Sequence, residues 1–255
     1  MEFEKYVPGK HGNLFPDSFS VNVVKPSDIE DYRGAVKQAL EDIEGIFGSM
    51  AADFSVVIGE IDAGLLEEEF DGDILHYAYF QAYSLGKKAH SQGDRNIIFL
   101  ATSQGYEYWR PGLKYYTVHE EAHQEFYVEK PDMMHEIWES IIFEGHAIHR
   151  SEKVREQKDY RWEGHRGSFP GSAAELKQEL DKNREWEGDL HEREDSSPLF
   201  SMGGERWQQA EGYIAAFEIY RDIVERNGMD VDGPVRRSEA WQKEEKRKSI
   251  DRLYS

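Results

Sequence analysis

Tyr115-Tyr116-Thr117-Val118-His119-Glu120-Glu121-Ala122-His123-Gln124-Glu125-Phe126-Tyr127 is the stretch from which the fold can be read. It contains His-Glu-x-x-His. On a helix, residues four apart lie one above the other on the same face. His119 and His123 can therefore aim their imidazoles at one point, with Glu120 beside them. Two neutral imidazoles suit Zn²⁺, and a carboxylate next to the metal can take a proton from water. The bland alternative is a pair of surface histidines on an acidic helix. The opposite face is apolar: Tyr115, Val118, Ala122 and Phe126 recur at spacings of three and four. The pattern predicts one helix with its back in the core and its metal face toward a cleft.

A catalytic zinc site takes three protein ligands and keeps one position open. The metzincin continuation, His-x-x-Gly-x-x-His, is absent, because Phe126 and Glu129 occupy those places. Another donor stands 21 residues beyond His123, in Ile137-Trp138-Glu139-Ser140-Ile141-Ile142-Phe143-Glu144-Gly145-His146-Ala147-Ile148. Ile137, Ile141 and Ile148 mark the buried stripe of a second helix, and Glu144 lies on it. A carboxylate at a core position is costly unless it is paired or bound to a metal. Gly145 gives up helix propensity but lets another backbone come close. Glu144 is thus the candidate third ligand. The alternatives are a Glu144 paired with Arg or Lys, or ligation by His146 or His149, which point to a different side from the apolar stripe.

His-Glu-x-x-His followed about 20 residues later by a helical Glu resembles the gluzincin layout. Glu144-Gly145-His146-Ala147 narrows the likeness to a bacterial and archaeal domain-of-unknown-function family described as predicted zinc-dependent proteases. That family also carries a later Gly-Tyr followed by small residues on a helix. Gly212-Tyr213-Ile214-Ala215-Ala216 resembles it, with Ala where a second Gly is usual. The likeness runs from about Phe54 to Asn227 and is anchored by these three short motifs. The segment at about 151–205 has no clear counterpart. The resemblance implies a metallopeptidase fold with ligands His119, His123 and Glu144. The fold class expected is α+β and zincin-like: mostly helical, with a small mixed sheet and the active-site helix beneath it.

A length of 255 residues fits one domain, 1–255, with an inserted lobe. Hydrophobic residues make up 38% and charged residues 32%, which describes a soluble, very wet chain with a modest core. Asp and Glu number 51 against 31 Lys and Arg, a formal charge of −20. A field of that sign repels nucleic acid and anionic lipid. The absence of Cys excludes disulfides, thiolate metal sites and a cysteine nucleophile. Met1-Glu2-Phe3-Glu4-Lys5 lacks a signal-peptide pattern, and no apolar run approaches the ~20 residues of a membrane helix. The expectation is a cytoplasmic protein whose partner is a peptide or protein substrate, not nucleic acid or membrane.

Around the central stretch, Ser20–Lys25 reads as a short strand. Ser27 and Glu30 have capping-box spacing. Ile29, Tyr32, Val36, Ala39, Leu40, Ile43 and Phe47 then give a helix that should end near Gly48. Phe54–Glu60 and Asn96–Ala101 read as strands by their β-branched content. Asn96–Ala101 is either an interior strand or an exposed edge that pairs with a substrate backbone, as in gluzincin-like peptidases. Gly105 to Gly112 reads as a loop before the metal helix. Glu67-Glu68-Glu69 and Asp71-Gly72-Asp73 read as a solvated acidic segment, since EF-hand spacing is not met. Tyr77, Tyr79 and Tyr83 alternate with small and apolar residues, which suggests either a strand facing a cleft or a packed aromatic patch.

Lys130-Pro131-Asp132 breaks the chain between the two metal helices, and Asp132 can cap the second. From 151 to 204 apolar residues thin out, and the segment reads as an exposed lobe, either a lid or a partner-binding surface. Within it Ser172-Ala173-Ala174-Glu175 has capping-box form and opens a helix through Trp186. Trp207 to Asn227 returns to helical period, and Asn227-Gly228 is a stop signal. The charged tail from Val235 to Ser255 reads as a peripheral helix.

The chemistry that follows is hydrolysis. Zinc on His119, His123 and Glu144 lowers the pKa of water from 15.7 toward ~7. Glu120 accepts the proton and passes it to the leaving amine. Tyr213 is the first candidate for an oxyanion donor, because it opens an apolar helix and matches the Gly-Tyr of the resembling family. His146 and His149 are second candidates, and Tyr213 as core packing is the alternative. Two other functions fit the same residues: a non-catalytic, zinc-stabilised interaction protein, and a zinc hydrolase of non-peptide amides or esters.

Overall fold

The computed structural model describes residues 1–11, 23–50, 54–64, 80–85, 96–129, 137–161 and 211–254. The fold is α+β with a small mixed sheet. In chain order the elements are β1 (Glu2–Lys5), α1 (Pro8–His11), β2 (Val23–Val24), α2 (Glu30–Phe47), β3 (Phe54–Ile61), β4 (Phe80–Leu85), β5 (Asn96–Thr102), α3 (Trp109–Glu129), α4 (Ile137–Lys158), α5 (Glu211–Asn227) and α6 (Glu239–Leu253). They fall into two compact units. One holds residues 1–131 and 151–164, and the other holds 132–150 and 165–255. Helix α4 therefore gives its first turns to the second unit and its last turns to the first.

The first unit is built on the sheet, in the order β1-β3-β5-β4. β1, β3 and β5 run parallel, and β4 is antiparallel to β5. β5 covers Phe54–Glu60 along one side of β3, while β1 and then β2 take the other. Strand side chains alternate between faces, and both faces of the central strands are buried. Val56, Ile58, Ile98 and Leu100 meet Tyr32, Val36, Ala39, Leu40 and Ile43 of α2. Val57, Phe99 and Ala101 meet Tyr6, Phe80 and Tyr115 on the other side. This settles the choice left open for Asn96–Ala101. With partners on both sides, β5 is interior and cannot accept a substrate strand.

α2 has the period and the end that the sequence predicts. Gly48 takes φ +76°, the left-handed conformation that glycine adopts without steric cost, and its N–H closes on Glu44 C=O. Its start differs. The helix begins at Glu30 without a side-chain cap on its N-cap residue, Ile29. Asp28 Oδ1 accepts from the backbone N–H of Ile29 and Glu30 instead of the expected Ser27 box. A carboxylate at that point also suits the positive end of the helix dipole.

The expected loop from Gly105 to Gly112 is shorter than predicted, because α3 already begins at Trp109. Pro111 sits in the first turn, where a missing N–H breaks no helical bond. Gly112 is required by packing: a Cβ there would run into the ring of Phe80. α4 likewise outlasts its predicted end. Residues 151–158, read as the start of an exposed lobe, continue the helix to Lys158. Ser151, Val154 and Arg155 are buried there, and Val154 joins the core beneath α2. Tyr160 follows, donating to Asp42 Oδ2 at 2.6 Å.

In the second unit, α5 stops where Asn227-Gly228 predicts. Gly228 takes φ +59°, and Met229 N–H reaches Val224 C=O. α6 fills the tail as expected and is capped by Ser238. Its buried face is mostly polar: Gln242, Glu245, Lys246 and Ser249 are buried beside Ile250. Among the described residues no helix is long and apolar enough to cross a membrane. Residues 20–22, the acidic segment at 67–73, Tyr77, Tyr79, Asp132, most of the 151–204 lobe and the predicted helix from Ser172 lie outside the described residues.

Candidate metal centre

His119, Glu120 and His123 come together as their spacing requires. Tyr115, Val118, Ala122 and Phe126, the apolar stripe of α3, are each at most 1% exposed. That stripe fixes the rotation of the helix. His119 and His123 consequently project from one face, their rings nearly perpendicular at 87° and 4.6 Å apart. Their Nε2 atoms are 3.1 Å apart. Two nitrogens bound to one tetrahedral zinc at 2.0–2.1 Å stand about 3.3 Å apart. The imidazoles thus have the bite of a chelating pair. A carboxylate oxygen of Glu120 lies within 4.8 Å of both donor nitrogens. Two imidazole nitrogens with a carboxylate oxygen alongside form a group that could hold a metal ion.

The metal face is not open in the way the amphipathic pattern implies. His119, Glu120, Glu121, His123 and Gln124 are all 5% exposed or less, so this part of α3 is covered on every side. Polar contacts tie it to the sheet. Ser84 Oγ donates to the Glu120 carbonyl at 2.9 Å, and Gln124 Nε2 donates to the Ile97 carbonyl at 3.1 Å. Thr117 Oγ1 donates back to the Leu113 carbonyl at 2.7 Å. Next to the histidines stands an aromatic wall. Tyr116 meets His119 edge-on at 6.4 Å and stacks on Phe80 at 5.3 Å. Tyr106 in turn packs edge-on against Phe80. Tyr115, fully buried, has its phenol pushed well up, by burial first and then by the charge of Glu152.

Glu144 and Tyr213 belong to the second unit. Glu144 is half-buried on α4, between the buried Ile141 and Ile148. The predicted stripe is broader than expected. Ile142, Phe143, His146, Ala147 and Arg150 are buried as well, so almost no side of α4 is solvated here. Gly145 does let another backbone approach: a Cβ there would overlap the Ala216 carbonyl oxygen and lie 2.6 Å from Tyr220 Cβ. Tyr213 is half-buried in the first turn of α5.

The two rival histidines have distinct surroundings. His149 packs its ring against Phe217 and Tyr220. His146, fully buried, puts Nε2 3.0 Å from Asp232 Oδ1. Arg150, also fully buried, reaches the same oxygen at 3.3 Å. Burial pushes the Asp232 carboxyl up, but the His146 hydrogen bond and the Arg150 and Arg236 charges outweigh it and hold it at about 2. Sequence reasoning missed both Asp232 and Arg150. The available signal was weak: Arg150 stands four residues after His146, hence on the same face, and Asp232-Gly233 marks a turn. The chain finds no match among protein-family models, curated proteins or solved structures.

Proposed function

We propose that the chain is a zinc-dependent metallopeptidase of zincin-like, gluzincin-type architecture, working on peptide or protein substrates in the cytoplasm. The observation that carries this is the 3.1 Å approach of the His119 and His123 Nε2 atoms with a Glu120 oxygen within 4.8 Å. The histidines would hold the metal. Glu144 is proposed as the third ligand on its spacing from His123 and its place in the Glu-Gly-x-Ala motif. Zinc held there supplies a Lewis acid that brings the pKa of water toward ~7. Glu120 takes the water proton on its carboxylate and delivers it to the leaving amine. Tyr213 is proposed to donate a hydrogen bond to the oxyanion, a contribution of about 3 kcal/mol for such a donor. An extended substrate would add to β4, the last strand of the sheet among the described residues, which is antiparallel and packs on α3.

A second reading draws on burial. With all three side chains at most 5% exposed, zinc could serve only to hold the fold. One variant separates the two. Glu120→Gln keeps both imidazoles and should bind zinc like the wild type while losing hydrolysis of a peptide library by at least 100-fold, the scale of general acid–base catalysis. Chelator-sensitive hydrolysis that survives in Glu120→Gln would rule out the mechanism. A wild type that binds zinc and cleaves nothing would favour the stabilising role.

A further inference from the structure

The turn that leads from β5 into α3 carries Tyr106-Glu107-Tyr108, two phenol rings on either side of a carboxylate. It lies wholly within the first unit. Tyr106 is half-buried, Glu107 is exposed, and Tyr108 is 37% exposed. The turn is held at three points. Tyr106 N–H donates to the Ser103 carbonyl at 3.1 Å, Trp109 N–H to the Tyr106 carbonyl at 3.1 Å, and Gly112 N–H to the Tyr108 carbonyl at 3.0 Å. Ring contacts run inward from it. Tyr108 meets Tyr106 edge-on at 5.8 Å, Tyr106 meets Phe80 at 5.7 Å, Phe80 stacks on Tyr116, and Tyr116 meets His119. The turn is thus the outer end of the aromatic wall that begins at the histidine pair.

The face of an aromatic ring attracts a cation, and arginine suits it best, because a planar guanidinium can stack on the ring while its N–H groups bond a carboxylate. The residues that follow show the combination inside this molecule. Arg110 lies 4.9 Å over the Trp109 ring and 3.6 Å from Asp31. Glu107 is placed beside rings in the same way, but among the described residues no Lys, Arg or His side chain pairs with it. Neighbouring Cα atoms are about 3.8 Å apart, so a guanidinium laid on Tyr108 can reach the Glu107 carboxylate. The formal charge of −20 draws cationic chains toward the surface. Because the turn is already fixed by its hydrogen bonds, little ordering is needed when such a side chain arrives.

We propose that Tyr106, Glu107 and Tyr108 form a platform for an arginine side chain of a bound peptide. That this peptide is the substrate rests on the peptidase reading above; that the platform binds arginine does not. The test is calorimetric titration of the full-length chain carrying Glu120→Gln, so that peptides stay intact. The probes are two blocked, alanine-rich peptides that differ in one residue, arginine or its neutral isostere citrulline. The arginine peptide should bind about 3- to 10-fold more tightly at low salt, the scale of an exposed ring contact plus an exposed ion pair, and the gap should close at high salt. Glu107→Gln and Tyr108→Ala should each remove most of the preference, and both alter exposed side chains that the fold does not need. Glu41→Gln is the control. It removes the same charge from an exposed position on α2, which packs on the other face of the sheet, and should leave the preference intact. Equal binding of the two peptides, or binding of neither, would overturn the proposal. A preference that survives both Glu107→Gln and Tyr108→Ala would overturn it too, and an equal loss in Glu41→Gln would reduce it to the general field of the molecule. The wild-type chain separates this from the peptidase reading. If it prefers the arginine peptide in binding yet cleaves neither, the peptidase reading fails and the platform stands. If it cleaves both with the same KM, the reverse holds.

Discussion

Gly145→Ala puts a methyl group where α4 meets α5, and its cost can be worked from the contacts. The added Cβ would overlap the Ala216 carbonyl oxygen, lie 2.6 Å from Tyr220 Cβ and lie 3.1 Å from the Ala216 carbonyl carbon. Carbon atoms in favourable contact are about 3.5–4.0 Å apart, so the shortfall is about 1 Å. None of the atoms struck is the end of a flexible side chain, so the two helices must move apart. Overpacking of this kind costs about 1–3 kcal/mol, and a backbone obstacle argues for the upper end. Alanine offsets about 1 kcal/mol by its better helix propensity. The net loss is about 2 kcal/mol. For a chain of this size each kcal/mol shifts Tm by about 2–4 °C, so calorimetry of the full chain should register a fall of about 4–8 °C. Gly145→Ser should fall at least as far. A melting temperature equal to or above that of the wild type would refute the close approach, since only the propensity gain would then remain.

Tyr160→Phe should destabilise by about 2 kcal/mol, because it takes one hydrogen bond from the buried Asp42 carboxylate, which also meets Lys158 at 3.1 Å. Urea unfolding checks this, and an unchanged midpoint would mean the bond contributes nothing. Stability should also fall at alkaline pH. Burial raises the phenol pKa of Tyr32, Tyr115, Tyr160, Tyr220 and Tyr254 above the ordinary value of about 10. The unfolded chain loses these protons above pH ~10 while the folded chain keeps them. The stability they contribute is therefore complete below pH 10 and is lost as pH rises, by about 1.4 kcal/mol per pH unit for each tyrosine. Denaturation midpoints at pH 8 and pH 11 measure it, and equal midpoints would contradict the assigned burial.

Much of the first unit was legible because its signals are local. The helical period of Ile29 to Phe47 and the glycine that ends it are properties of one segment. So is the i, i+4 pairing of His119 and His123, and the apolar stripe behind them. Gly145 could be read as a point of close approach because a glycine inside a helix is otherwise unfavourable. Pro111 and Gly112 misled for a related reason. Both types usually break helices, but here one stands in the first turn and the other makes room for Phe80, 32 residues earlier.

What the sequence by itself determined, then, is the helical or strand period of α2, α3, β3 and β5 and which two imidazoles share a face, because backbone geometry converts spacing directly into direction. Tertiary structure alone decided that β5 lies between β3 and β4, that His146 and Arg150 are buried, and that Asp232, more than 80 residues away along the chain, is their partner. Strand order and the pairing of buried charges depend on groups brought together by the whole fold. A buried arginine and an exposed one look the same in a sequence, and only the presence of a carboxylate in its path makes burial tolerable.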